Sequence, residues 1–287
     1  MNIGKIRAAM QHNRMLRTVE FLLRKSGFVH LLHTIKANKK RKLTVGTENE
    51  FSKFYNDHRE EFKQVYDILE DEMSRKTFDG IIKFRKTYDI KYLKSIIVSP
   101  QYFLKDILPP YDEEVFVDAG AYIGDTAKGF INHYFEGKKH KIYLWEPDEK
   151  NKSQIDKMLG KKVNYSIKPY AMWSKNTILT FSNDGTGTSS ITDGTGFRVN
   201  ADSLDNQHCN EKITFIKMDI EGAEIEALKG AKSIIESQKP KLAICIYHEY
   251  EHLYRIPLML KEMVPDYRIY IRHHSDTSSE TVCYATI

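Results

Sequence analysis

The rhythm of hydrophobic and polar positions changes near residue 110. Before it, apolar residues recur at helical spacing. Ile6, Met10, Leu16, Leu23 and Leu31 stand among charges over residues 5–35. Phe51, Phe54, Phe62, Val65, Ile68 and Leu69 recur at spacings of three, four and eight, which predicts a charged amphipathic helix over 49–73. Phe78–Tyr88 and Lys91–Val98 read as shorter helices. Pro100 stops the run, and Pro109–Pro110 mark a linker. The pattern divides the chain into a helical segment, 1–109, and a second part, 110–287.

After Asp112, short apolar runs alternate with helical stretches. Strands are expected at Val115–Asp118, Ile142–Trp145, Val163–Tyr170, Ile213–Met218 and Lys241–Tyr247. Helices are expected at Asp125–Phe135, Asp148–Leu159, Ala223–Ser237 and Glu251–Met263. Thr177–Ser182 and Gly196–Val199 read as extended pieces around a Gly/Ser/Thr-rich loop, Asp184–Thr195. Tyr267–His273 and Thr281–Thr286 follow one another as strands, so an antiparallel hairpin is expected at the edge of a mainly parallel sheet. Ligands of such α/β sheets bind beyond the carboxyl ends of the strands, which makes the residues after each strand the candidates for chemistry.

Composition narrows the class. The chain has 287 residues, 41% hydrophobic and 29% charged, which is globular and excludes a disordered or collagen-like chain. Mean hydropathy is −0.52 and no apolar run approaches the ~20 residues of a membrane span. Cys209, Cys245 and Cys283 are scattered and form no CxxC, which points to a reducing, cytoplasmic setting rather than a disulfide framework. The net charge of +5 is local. Residues 1–42 hold 11 basic residues and one acid, leaving 33 basic against 38 acidic residues in the remainder. A solvated helix face explains such a segment, and peripheral contact with an anionic membrane is the sharper reading. Few aromatics interleave with it, so no nucleic acid is expected as partner.

The first expected strand end carries Asp118, Ala119, Gly120, Ala121, Tyr122, Ile123, Gly124 and Asp125, then Thr126. Two glycines at a strand-to-helix turn let a ligand approach the backbone, but their GxxxG spacing is not the dinucleotide fingerprint. Asp118 and Asp125 would repel a pyrophosphate and suit a cation, so a sulfonium cofactor fits better than NAD. The alternative is a tight turn with Asp125 stabilising a helix N-terminus. Trp145-Glu146-Pro147 puts an acid after the second strand, where a carboxylate accepts from both hydroxyls of a ribose. Lys217-Met218-Asp219-Ile220-Glu221-Gly222-Ala223-Glu224 clusters three acids at a strand-to-helix junction. Asp219 and Glu221 read as functional and Glu224 as a helix cap.

Together these motifs resemble the FkbM family of methyltransferases, with Leu228, Gly230-Ala231, Ile246-Tyr247-His248 and Ile256-Pro257 similar to its later segments. The resemblance runs from about Tyr102 to the C-terminus and leaves out residues 1–45. It implies a Rossmann-like class I methyltransferase fold with S-adenosyl-L-methionine as methyl donor. It further implies O-methylation of a sugar, glycan or other secondary metabolite. By motif position Asp118, Gly120, Ala121, Tyr122, Gly124, Asp125, Thr126, Glu146, Pro147 and Ala171 would contact the cofactor.

Methyl transfer is an in-line displacement, and a hydroxyl acceptor gains from a general base. His248, after the fifth strand, has a suitable ordinary pKa. Asp219 is the other candidate base or the orienting group for His248. Ser189 and Ser190 in the Gly/Thr-rich loop are candidates for the acceptor site. Two competing readings stand beside this one. His248-Glu249-Tyr250-Glu251-His252 matches HExxH, a zinc hydrolase pattern, though it straddles an expected strand end. A non-catalytic cofactor-binding scaffold is the other. No metal is expected.

Overall fold

The computed structural model describes residues 48–134, 139–183, 189–191, 196–208 and 210–287. The helix expected over 5–35 and the basic run 1–42 lie outside these residues. Helix α1, Glu50–Asp57, starts on Asn49, whose side chain accepts from the Ser52 amide at 2.8 Å. Helix α2, Arg59–Ile68, follows at once, and α3, Glu72–Thr87, starts on Asp71 in the same way. The one helix expected over 49–73 is thus interrupted. His58 sits at φ −121°, outside the helical range, and the break lets Phe51 and Phe62 meet edge to face with ring centroids 6.2 Å apart. A single turn, α4, Lys91–Lys94, stands where a longer helix to Val98 was expected.

Among the described residues eleven strands follow: β1 Glu113–Ala119, β2 Lys139–Trp145, β3 Tyr165–Lys168, β4 Ala171–Met172, β5 Thr177–Asn183, β6 Ser189–Ile191, β7 Phe197–Asp202, β8 Phe215–Met218, β9 Lys241–Cys245, β10 Arg268–His273 and β11 Thr281–Thr286. Seven form the expected sheet, ordered β10-β11-β9-β8-β1-β2-β3. The five strands β9-β8-β1-β2-β3 run parallel, and β11 lies antiparallel between β9 and β10. The hairpin therefore has its first strand at the edge and its second inside. Alternation along each strand sorts side chains to two faces. Val117 and Ala119 of β1, Leu242 and Ile244 of β9, and Cys283 and Ala285 of β11 join one hydrophobic cluster. Phe116, Ala243, Cys245, Val282 and Tyr284 join the other. Both faces are covered, as a parallel sheet requires.

Connecting helices are α5 Asp125–Gly129, α6 Glu149–Leu159, α7 Leu204–His208, α8 Glu224–Lys229, α9 Lys232–Gln238 and α10 His252–Met263. The helix expected over 125–135 tightens to α5 followed by a π-turn at Phe130–Tyr134. The helix expected over 223–237 breaks into α8 and α9, because a neighbouring loop crosses it. A Cβ at Gly230 would lie 2.0 Å from the Trp173 carbonyl oxygen. The strand expected over 163–170 also divides: β3 stays in the main sheet, while β4 opens a second sheet ordered β4-β7-β5-β6. The helical layer is part of the first core. Phe51, Phe62, Val65, Leu69 and Phe78 are buried in the same cluster as Leu253, Ile256 and Ile269. Backbone pairing of Leu69 with Ile269 and of Ile97 with His273 fastens that layer to β10.

Candidate active site

The carboxyl ends of β1, β2, β8 and β9 meet at the centre of the sheet. Gly120 follows β1 at φ +78°, and a Cβ there would stand 2.0 Å from the Asp219 carbonyl oxygen. The β1 and β8 ends therefore come this close through glycine alone. The amides of Gly120 and Ala121 both donate to the Trp145 carbonyl, at 3.1 and 3.2 Å. Tyr122 holds φ +48° and its ring is 59% exposed, so a bulky side chain is carried outward on a left-handed residue. Gly124, at φ +82°, leads into α5, whose first residues are Asp125 and Thr126.

Glu146 follows β2 and is 9% exposed. One carboxylate oxygen accepts from the Tyr122 amide at 2.9 Å and the other from the Asp148 amide at 2.8 Å. Burial raises its pKa against those hydrogen bonds. The Asn151 side chain bonds the carboxylate as well, which leaves one of its roughly four acceptor positions for a ribose hydroxyl. Pro147 follows it, and Ala171 begins β4 just past β3, in the second sheet.

Below the glycine turn lies a buried ion pair. Asp118 and Lys217 face each other across β1 and β8, with Nζ 3.0 Å from Oδ1. The same ammonium donates to the carbonyls of Ala119 and Gly120 at 3.2 and 3.1 Å. Burial pushes the Asp118 carboxyl up to about 6 even with Lys217 beside it. Asp118 is 0% exposed, so the structure puts its side chain under the turn and not on the cleft.

Asp219 follows β8. Its Oδ1 accepts from the Tyr247 hydroxyl and its Oδ2 from the Tyr102 hydroxyl, each at 2.9 Å. Burial works against its charge, but Lys217, His248 and the two hydroxyls outweigh it and lower its pKa. Glu221 and Gly222 both take positive φ, +56° and +101°, and carry the chain back across the cleft before α8. His248 follows β9. Its Nε2 lies 3.5 Å from Asp219 and 3.7 Å from Glu221, and its Nδ1 lies 2.9 Å from Glu224 Oε1. Burial lowers the imidazole's pKa, but Glu224, Asp219 and Glu221 prevail and raise it.

Asp219, Glu221 and His248 thus come together, as the sequence reading had them. Glu224 was missed as more than a cap. It does accept the Ile220 amide at 2.9 Å, yet it is 0% exposed and turned towards two imidazoles, with His252 Nδ1 at 3.4 Å. Its spacing from Asp219 carried no sign of this, since His248 is 24 residues further on. Tyr102 and Tyr247 were missed for the same reason. The HExxH pattern is not one helix face: α10 begins at His252, and both histidines turn to Glu224. Asp219, Glu224 and His248 offer ligand atoms within 4.8 Å of one another. However, Glu224 faces Nδ1 and Asp219 faces Nε2, so the ring lies between the carboxylates where a metal would need one nitrogen turned to both. Ser189 and Ser190 lie in β6, the outer strand of the second sheet.

The donor set is acids and backbone groups, with the nearby ammonium of Lys217 already committed. That fits a cationic, phosphate-free cofactor. Residues 118–276 match the family model described as the methyltransferase FkbM domain. A crystal structure of methyltransferase FkbM from Methylobacillus flagellatus KT superposes with a TM-score of 0.72 at 26% identity. The match covers 83% of this chain and 61% of that one, so the chain spans about three-fifths of that relative's length. A fibrillarin/Nop5p complex matches at TM-score 0.40 and 17% identity, covering 62% of this chain and 74% of that chain. Aeropyrum pernix fibrillarin with natively bound S-adenosyl-L-methionine matches at 0.39 and 11%, covering 63% and 71%. No curated protein matches.

Proposed function

The chain belongs to the FkbM family of methyltransferases, whose cofactor is S-adenosyl-L-methionine, and from that premise we propose that it methylates a hydroxyl on a sugar, glycan or other secondary metabolite. The observation that carries the oxygen acceptor is His248. It stands at the cleft between a buried carboxylate and two cleft-side carboxylates, as a base for a weakly acidic proton should.

When bound, the cofactor supplies a methyl group made electrophilic by a sulfonium. The rest is work for the chain's own residues. Glu146 would accept from a ribose hydroxyl with its remaining lone pair. The turn of Gly120, Ala121, Tyr122 and Gly124 would line the approach of the methionine portion, and Asp125, Thr126, Pro147 and Ala171 would flank the site. His248 takes the acceptor's proton at Nε2. The Glu224 charge, 2.9 Å from Nδ1, favours a proton on that nitrogen, and Asp219 and Glu221 stabilise the imidazolium that forms. Since the pKa of Glu221 is raised by its burial and by neighbouring acids, it is the weaker of the two anions. Ser189 and Ser190 are proposed to contact the acceptor from the second sheet. The basic segment 1–42 is proposed to meet an anionic membrane. No helix among the described residues is long and apolar enough to cross one.

Calorimetric titration with S-adenosylhomocysteine tests the reading. Stoichiometric binding, weakened at least tenfold by Glu146→Ala, is expected. Absence of binding to the wild type would overturn it.

A further inference from the structure

The family-matched region begins at residue 118, yet one of the two groups bonded to the Asp219 carboxylate comes from ahead of it. Tyr102 is 7% exposed and sits at φ +65°. A left-handed conformation is unfavourable for a non-glycine residue and persists where the surroundings fix it. Here two contacts do so. Its amide donates to the Tyr284 hydroxyl at 3.0 Å, and its ring packs at 6.2 Å, centroid to centroid, on Phe103 in the second core. The left-handed turn aims the ring along the sheet so that its hydroxyl reaches Asp219 Oδ2. Tyr247, from the far side, reaches Oδ1. A carboxylate with one hydroxyl on each oxygen cannot rotate about its terminal torsion without losing one of them. Its position 3.5 Å from His248 Nε2 is then fixed.

We propose that Tyr102 is a positioning residue of the reaction centre, clamping Asp219 together with Tyr247 so that its charge faces the Nε2 side of His248. This rests on the assignment of Asp219 and His248 made above. The other groups facing Asp219 are Lys217 and Cys245 from the sheet and Glu280 from the turn before β11. Glu221 and Asp118 also act on Asp219, and those facing His248 are Glu221, Glu224, Glu280 and, through Glu224, His252. None of them replaces a hydroxyl on Oδ2. The helical part of the chain therefore does more than cover a sheet edge: its last segment completes the active site.

The test is the titration of His248 read by NMR in wild type, Tyr102→Phe and Asp219→Asn, alongside S-adenosylhomocysteine affinity. Phe keeps the ring and removes the hydroxyl. Y102F should lower the His248 pKa by about half a unit, because a released carboxylate no longer holds its charge at Nε2. D219N should lower it further. Cofactor-product affinity in Y102F should stay within about twofold of wild type. A His248 pKa unchanged in Y102F but lowered in D219N would overturn the proposal and leave the site assignment standing. A pKa unchanged in both would overturn the assignment itself. Should Y102F not fold, the Asp219 carboxyl carbon of the wild type carries the answer. Two hydroxyl donors give two deuterium isotope shifts in mixed H2O and D2O; one shift would overturn the clamp.

Discussion

Protonation at the site is decided by one buried carboxylate and its two imidazoles. Glu224 is 0% exposed, and a charge there needs a partner. His248 is the favoured partner: neighbouring acids raise its pKa, while burial lowers that of His252. The neutral imidazole is the form that accepts a proton. Activity on the first acceptor that turns over should therefore rise with pH through an inflection above the ordinary 6.5. Glu224→Gln should move that inflection downward, and an unmoved inflection would remove Glu224 from the relay. Stability follows the same linkage with a worked sign. A histidine raised on folding contributes stability that is fully present below 6.5 and lost as pH rises through its folded pKa. The urea-measured gap between wild type and His248→Gln should shrink accordingly as the pH is raised. Lys217 acts on the fold more directly. Removing it as Lys217→Met leaves Asp118 buried and unpaired, at a cost of about 3–5 kcal/mol. Adding Asp118→Asn should recover part of that loss in the same denaturation assay.

At the scale of elements, the strands were legible and their company was not. Apolar runs at 115–118, 142–145, 213–218 and 241–247 announced β1, β2, β8 and β9, because buried parallel strands are hydrophobic on both faces. The glycine turn and Glu146 stood where strand-end logic put them. Helix breaks at His58 and Gly230 escaped, since each is set by a tertiary contact that local periodicity does not carry. The extended pieces at 177–182 and 196–199 were read, but their joining into a second sheet escaped, because β4 and β6 are only two and three residues long. Tyr102 and Asp219 are 117 residues apart, and no spacing rule joins them. Gly120 is the element-scale hinge of the site. With φ +78° and the Asp219 carbonyl 2.0 Å from any Cβ, Gly120→Ala must push the β1 and β8 ends apart. S-adenosylhomocysteine affinity should fall at least tenfold, while the sheet below, paired from Phe116 to Ala119 with Phe215 to Met218, keeps the protein folded. Wild-type affinity in G120A would show that the turn has room to spare.

For the whole molecule, the change of texture near residue 110 raises the question of what folds alone. The change falls just ahead of β1, yet burial crosses it freely. Phe51, Phe62, Val65, Leu69, Phe78 and Ile81 are each at most 2% exposed, in the cluster that also holds the sheet residues Ile269 and Ile271. Each such side chain is worth about 1.5–3 kcal/mol when buried. Total stabilities of domains run at about 5–15 kcal/mol, so losing that set removes most or all of the margin. Buried polar ties add to it. Arg272 reaches Asp71 at 2.5 Å and Ser74 at 2.7 Å, and Arg85 donates to the carbonyl of Tyr247, next to His248, at 2.9 Å. A chain starting at residue 110 would strip Tyr102 and Arg85 from the site and bare the outer side of β10 and α10. We expect it to be insoluble or unable to bind S-adenosylhomocysteine. A chain starting at residue 48 keeps every one of these contacts and should bind S-adenosylhomocysteine. If basic residues 1–42 serve an anionic surface, the same shortened chain should lose sedimentation with phosphatidylserine vesicles while keeping full cofactor affinity. Equal sedimentation of both chains would move any membrane contact onto the folded part.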